Sequence, residues 1–346
     1  MTTTLPPQVT AARDLVDAGL RDAVATLGAD VRAVVEYHLG WRDEHGRPRS
    51  APAGKAVRPA LVMLGAEAAG LTGPAAAAVP QLAAAVELVH DFSLLHDDVM
   101  DGDTARRHRP TAWTVYGVPA AILAGDAMLG LAVDVLRRST ADPAAAGRAT
   151  GCLTNAVQRL VDGQMADVAF ERRDRVSLAE CLVMQSGKTA ALMRCATSIA
   201  AVAADAPAAT IADLAWFGEH VGMAFQAVDD LLGLWGSPDQ TGKPALADLK
   251  VRKKSVPIVA ALEARGPAAD QLRAAFAEPE PFVDAQLPGL AQLVEAAGGR
   301  ARAESEAGQQ LAAARSRLHA LDAAGAPPEA TGALWELAGF VTGRDH

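Results

Sequence analysis

A chain of 346 residues that is half hydrophobic can bury a large core without disulfides or a structural metal. Its formal net charge of -9 speaks against nucleic acid as the main partner. An anionic ligand would then have to be held locally, by clustered Arg and Lys or through a divalent cation that reverses the sign of an acidic site.

The opening "MTTTLPPQVTAARD" has no basic stretch followed by an apolar one, so no signal peptide is expected, and residues 1–12 are expected to form a mobile tail. "ARDLVDAGLRDAVATLGADVRAVVEYHLG" then repeats apolar residues at helical spacing. Residues 42–53, "RDEHGRPRSAPA", read as a mobile loop. The run "PAAAAVPQLAAAVELVHDF" is interrupted by Pro, Glu and His before membrane-spanning length, so no transmembrane segment is expected.

The spacing predicts a helix over 82–103, ending in "LLHDDVMDGDTARRHRP". Four aspartates (Asp97, Asp98, Asp101, Asp103) directly precede three arginines (Arg106, Arg107, Arg109). Asp97 and Asp101 stand one turn apart on one helix face, where two carboxylates repel unless a cation sits between them. His90 falls on the same stripe.

Helical periodicity continues through "ILAGDAMLGLAVDVLRRS" and "LTNAVQRLVDGQMADVAFER", with breaks at "STADPAAAG", "ADAPAAT", "GSPDQTGKPALAD" and "EPEPF". A second acidic pair, Asp229 and Asp230, lies in "FGEHVGMAFQAVDDLLGLWG". The basic stretch "TGKPALADLKVRKK" follows, with Lys243, Asp248 and Lys253 in it. Cys152, Cys181 and Cys195 show no CxxC or zinc-type spacing and read as small core residues of a reducing, cytoplasmic compartment. No composition shift or repeat divides the chain. The expectation is one all-α domain over residues 1–346, a single large helical bundle.

Carboxylates on helices of a bundle are one way to hold divalent ions. Oxygen donors without Cys favour magnesium, which completes its shell with water and substrate phosphates. The acidic half of each cluster would hold metal; the basic half, with the metal, would hold diphosphate.

Taken together, these segments resemble the trans-isoprenyl diphosphate synthase (polyprenyl synthetase) family. "GKAVRP", "ELVHDFSLLHDDVMD" with "RRHRPT", "DGQMAD", "SGKTA", "GMAFQAVDD", "TGKP" and "DLKVRKKSVP" follow the family's motifs in order. The resemblance implies an isoprenoid-synthase type bundle with a central metal and diphosphate cavity, working as a homodimer with several Mg2+ ions per site. Its substrates would be isopentenyl diphosphate and allylic diphosphates. By resemblance, Asp97, Asp101 and Asp229 would bind magnesium, supported by Asp98, Asp230 and Asp248. Arg106, Lys188, Lys243 and Lys253 would hold the allylic diphosphate, and Lys55, Arg58, His90 and Arg107 isopentenyl diphosphate. Thr189 and Gln226, with Lys188 the predicted catalytic group, would turn polar atoms to the developing allylic cation; Gln164 and Asp167 would line the metal side. The loop at 237–250 is a candidate lid.

Two positions depart from the family pattern: Gly233 stands where the second motif usually has its last Asp, and Ala56 where many members have Arg. Phe92, five residues before Asp97, with small Ser93 beside it, resembles the chain-length floor of geranylgeranyl (C20) synthases. The alternatives are a farnesyl or longer-chain synthase, a class I terpene cyclase, and a non-catalytic subunit of a heteromeric prenyl synthase. Isopentenyl diphosphate residues argue against the cyclase, and retained aspartates against the inactive subunit.

Overall fold

The computed structural model describes residues 7–49, 56–107, 109–237 and 245–343. Apart from a two-residue hairpin and one isolated bridge, the regular structure of these residues is helical, as the composition predicts. They group into two compact units: Met1–Val157 with Leu192–Gly218 and Arg317–His346, and Gln158–Ala191 with Glu219–Ser316.

The first unit is organised on helix α5. We number α1 Pro7–Val24, α2 Ala29–His38, α3 Val57–Ala68, α4 Gly73–Ala77, α5 Val79–Met100, α6 Ala112–Tyr116 and α7 Val118–Arg138. α5 starts with Pro80 in its first turn, where the missing N–H costs nothing. From Leu82 to Val89 every residue is buried. Such all-round burial marks a core helix, and α1, α3 and α7 pack against it. Two helices are long and apolar enough to cross a bilayer by length and composition, Gly73–Met100 and Val118–Arg138. The apolar window of the first is 72% buried inside the protein, as in a core helix, and that of the second 39%.

Two sequence expectations are corrected here. Within the predicted mobile tail, α1 begins at Pro7, because Val9, Ala12, Val16 and Leu20 recur on one face and are all buried. Within the predicted mobile loop, residues 42–49 form a tied turn. Arg42 and Pro48 make an antiparallel bridge, the Arg49 N–H donates to the Trp41 carbonyl at 2.8 Å, and the Asp43 carboxylate accepts from the backbone N–H groups of His45 and Arg47.

In the second unit, the relevant helices are the latter part of α8 Pro143–Glu171, α9 Leu178–Gln185, the latter part of α11 Ala208–Trp235, and the one-turn α12 Ala247–Lys250; α10 spans Ala191–Ala203. α13 Val256–Glu263, α14 Pro267–Ala277 and α15 Leu287–Ala296 follow. Leu234, Ile258, Leu272, Leu290 and Val294 form one buried cluster of this unit, and Phe170, Cys181, Met184, Val256 and Val259 another. α9 opens with a capping box: the Ser177 hydroxyl accepts from the Glu180 N–H, and Glu180 accepts from the Ser177 N–H at 2.8 Å.

Candidate active site

α5 stops at Met100, short of the predicted end, yet the one-turn relation survives: the Asp101 N–H donates to the Asp97 carbonyl at 2.8 Å. Asp97 is half-buried and Asp101 exposed. Asp98 is only 1% exposed; one of its oxygens accepts from Arg106 Nε at 2.7 Å, and the other is buried without a hydrogen-bond partner. Burial raises its pKa and the Arg106 charge opposes the rise.

A hairpin of Ala105–Arg106 against Arg109–Pro110 carries the arginines. Arg109, one of the three that drew the eye in the sequence, is structural. Its guanidinium lies 4.4 Å above the Tyr37 ring centre and donates to the carbonyls of Tyr37 (3.2 Å) and Arg42 (3.1 Å). Asp103 contributes through its backbone: the Thr111 hydroxyl and Trp113 Nε1 both donate to its carbonyl at 2.8 Å. Arg107 is left exposed on a left-handed backbone (φ 50°). With Arg106, Asp98, Tyr37 and His38 it lines a cavity of about 250 Å3, and Arg49 joins them. Sequence reasoning missed Arg49, which only the tied turn at 42–49 brings to Arg107.

Arg58 sits in the first turn of α3 with its Nε buried and unbonded. Behind it lie two carboxylates that sequence reasoning also passed over. Burial raises Glu87, against Arg58 and Arg107, and burial and then Glu87 push Asp91 up to about 8. Burial, then Arg58 and Arg107, hold His90 well below its ordinary value and neutral. His38, 3.8 Å from Asp91, is lowered to about 3, chiefly by burial. Arg58, His90 and Arg107 thus share one electrostatic cluster; Lys55 lies outside the described residues. A carboxyl raised in the folded state keeps its proton after the unfolded chain has lost one, so this group's contribution to stability falls as pH rises from about 4 to about 8. Asp91→Asn is expected to flatten that slope and raise Tm at pH 8 by about 2 °C or more. Thermal melts across pH check it, and a lower Tm at pH 8 in the variant would overturn it.

Phe92 is 6% exposed, its ring edge-on to His96 with centres 5.2 Å apart. His96 Nε2 lies 2.9 Å from the Ile122 carbonyl, and a Cβ at Gly125 on α7 would overlap the His96 ring. The ring pair is therefore seated in a notch that glycine leaves open. The Ser93 hydroxyl donates to the His90 carbonyl at 2.7 Å.

The second unit has its own charged constellation. Asp230, placed by sequence among the metal residues, is 1% exposed and fully engaged: Gln185 Nε2 (2.7 Å) and the Val256 N–H (2.8 Å) donate to one oxygen, Gln226 Nε2 (3.0 Å) to the other. Burial pushes it up to about 6. Gln226, held by Asp230, accepts in turn from the Thr189 hydroxyl at 2.7 Å through its side-chain carbonyl. Lys188 donates to Asp167 at 2.6 Å.

Lys188 and Thr189 project from a π-helical turn, Ser186–Ala190, of a kind that recurs at functional sites. The turn needs two glycines: a Cβ on Gly163 would overlap the Lys188 backbone nitrogen, and one on Gly187 would lie 2.6 Å from the Arg159 carbonyl. Glu219 secures its start, taking hydrogen bonds from Arg159 and the Ser186 hydroxyl, each at 2.8 Å. Gly163→Ala is expected to cost about 1–3 kcal/mol by overpacking. Denaturant midpoints check that, and an unchanged midpoint would show the turn has slack.

Burial alone would lower Lys253, but Asp248, Asp230, Asp229 and Asp167 outweigh it and raise the ammonium above its ordinary value. Four carboxylates around one lysine, with Lys188 on Asp167, leave an excess of negative charge that suits a cation. Gly233 now has a reason. A Cβ there would fall within the Asp248 carboxylate, so Asp248, 15 positions later, fills the space beside the second aspartate pair. Gln164 is buried, and Lys243 lies outside the described residues, as does half of the candidate lid, 238–244. Among the described residues no three His, Cys, Asp or Glu come together closely enough to cage a metal unaided. That donor chemistry fits magnesium, which needs few carboxylates and takes its other ligands from water and phosphate.

An all-helical scaffold carrying two aspartate clusters, each with its own cations, defines a diphosphate-handling helical enzyme, and known proteins agree. A crystal structure of a polyprenyl synthetase from Streptomyces coelicolor A3(2) superposes with a TM-score of 0.90 at 45% identity, covering 98% of this chain and 99% of that one. A (2E,6E)-farnesyl diphosphate synthase of Mycobacterium tuberculosis is 43% identical over 99% of this chain and 94% of its own length. A geranylgeranyl diphosphate synthase of the same organism is 42% identical over 86% and 84%. The polyprenyl synthetase profile matches residues 47–286. The chain belongs to the polyprenyl synthetase family and is a trans-prenyltransferase.

Proposed function

We propose that the protein condenses isopentenyl diphosphate head-to-tail with an allylic diphosphate to give an all-trans prenyl diphosphate, geranylgeranyl diphosphate (C20). The observation that carries this is the shared electrostatic cluster of Arg58, His90 and Arg107, additional to Arg106, which is paired with Asp98. An enzyme that only ionised and cyclised one allylic diphosphate would have no use for a second anion-binding set.

Asp97, Asp101 and Asp229 are the magnesium ligands in this reading, with Asp248 supporting them. Bound there, magnesium would supply charge neutralisation for the departing diphosphate. Asp98 fixes Arg106 in place. Arg106, Lys188, Lys253 and Lys243 take the remaining oxygens of the allylic diphosphate, so its C–O bond can break with the electron pair leaving on oxygen. Thr189 spends its proton on Gln226, which leaves its oxygen lone pairs to face the allylic cation. Lys55, Arg58, His90 and Arg107 hold isopentenyl diphosphate so that its double bond attacks that cation. Proton loss then gives a chain one C5 unit longer, the released diphosphate taking the proton. Gln164 and Asp167 line the metal side. The exposed apolar residues Val118, Ile122 and Leu123 of α7 suit the contact face of a homodimer.

Phe92 and the small Ser93 support the C20 product. A C15 product is favoured instead by the farnesyl diphosphate synthase relative, which matches a larger share of the chain than the geranylgeranyl relative does. The test is to incubate the pure protein with isopentenyl diphosphate and dimethylallyl, geranyl or farnesyl diphosphate, with and without magnesium, and to size the dephosphorylated alcohols. Magnesium-dependent C20 alcohol is expected; C15 hands the product to the second reading. Cyclic hydrocarbon made from an allylic substrate alone would overturn the transferase.

A further inference from the structure

The second unit holds another cleft, of about 860 Å3, made by the segment before α9, by Lys254 and by α13 and α14. Its volume is that of a small-molecule site. In a protein of net charge -9, its walls carry five arginine or lysine side chains against three carboxylates. The partners of these charges decide what the cleft can take.

Arg173 is used up by Glu180, 2.7 Å away, and Arg273 by Asp270 and the carbonyls of Leu262 and Ala264. Arg175 and Arg265 make no hydrogen bond or ion pair among the described residues. Lys254 lies against the Phe276 ring, 5.7 Å from its centre; burial followed by Arg252 lowers its pKa, and Asp174 opposes the fall. Arg175, Arg265 and Lys254 therefore line one cleft without a salt bridge, alongside the carboxylates of Asp174 and Glu263, and the balance of these charges is positive. Beside them runs an apolar strip of Val259, Leu262 and Phe276. Phe276 is set firmly by its edge-on contact with Phe282, centres 5.2 Å apart. None of these residues has a part in the reaction proposed above.

We propose that this cleft binds an anionic amphiphile, a phosphate-type head joined to a hydrocarbon tail. Arg175, Arg265 and Lys254 hold the head and Val259, Leu262 and Phe276 lie along the tail. Cations alone would suit inorganic phosphate and an apolar strip alone a neutral lipid; their adjacency selects a molecule carrying both. Forked guanidinium donors match phosphate oxygens, and the strip supplies the rest of the affinity by burying alkyl surface.

The probe is dodecyl phosphate below its micelle concentration, titrated calorimetrically into the full chain, with inorganic phosphate as the head-only comparison. Arg175→Glu/Arg265→Glu reverses the cleft's charge, and Arg137→Glu/Arg138→Glu, in the other unit, is the charge-matched control. Wild type and control are expected to bind one more equivalent of dodecyl phosphate than the cleft variant, at least 10-fold more tightly than inorganic phosphate. Equal stoichiometry in all three proteins, or equal affinity for the two probes, would overturn the site. Condensation by the cleft variant without amphiphile should match wild type. Absence of turnover in every protein would count against the proposed reaction and leave the binding result standing.

Discussion

Gly233→Asp is expected to lower magnesium-dependent condensation about 10- to 100-fold, even though it restores the Asp-Asp-x-x-Asp pattern usual in the family. The reason is steric and electrostatic together. A side chain at position 233 would start inside the Asp248 carboxylate, which must move for it to fit. Asp248 also helps hold Lys253 charged, its carboxylate 3.9 Å from the ammonium. A new carboxylate about 4 Å from Asp248 would add repulsion on the order of a few kcal/mol at the effective dielectric of a partly buried site. Losing even half of that from the transition state costs about one decade or more in rate. The converse pair is the sharper test. If Asp248 stands in for the missing aspartate, Gly233→Asp/Asp248→Gly should recover much of the lost rate. Steady-state rates over a magnesium titration measure both variants. A single variant as active as wild type would mean that the two carboxylates share the space without conflict.

That exchange shows where sequence reading stops. Asp97, Asp98, Asp101 and Arg106 could be picked out together because their relations run along one helix and one short turn, Arg106 reaching back eight residues to Asp98. Lys188 and Thr189 could be flagged as a Gly-Lys-Thr string, but nothing in the string announced a π turn, whose cause lies on α8 at Gly163. The substitution at position 233 read as a loss, since its compensation sits 15 residues away on a different helix. Arg109 and Arg107 are two positions apart and identical in type. One is spent on Tyr37 and two carbonyls and the other is presented. Nothing in the local sequence around Glu87 and Asp91 tells of their burial, which comes with α1, α3 and α7 packing around α5. The tail was misread for the same reason: composition at residues 7–12 says little until the face formed by Val9 and Ala12 meets α3 and α5. Local charge order was legible, and tertiary burial was not.

Replacing Phe92 by alanine should lengthen the product by at least one C5 unit beyond that of the wild-type enzyme. The ring is 6% exposed on the helix that carries Asp97, five residues before it, and it is braced from behind. His96 stands edge-on against it, fixed by the Ile122 carbonyl and by the notch at Gly125. A wall built in this way does not yield to a growing chain, so the tail stops where the ring stands. Removing a buried phenyl ordinarily costs about 3–5 kcal/mol, because the cavity stays empty. Here the reaction supplies what can fill it. A prenyl tail extended by one isoprene unit places apolar carbons in the void and regains part of that loss at about 0.8 kcal/mol per buried CH2. The variant is therefore expected to melt at a lower temperature without product and to recover in part with a longer prenyl diphosphate bound. Sizing the alcohols from wild type and Phe92→Ala, with farnesyl diphosphate and excess isopentenyl diphosphate, reads the first effect; thermal melts read the second. If the product length stays the same while the melting temperature falls, Phe92 is a core residue and the floor lies elsewhere.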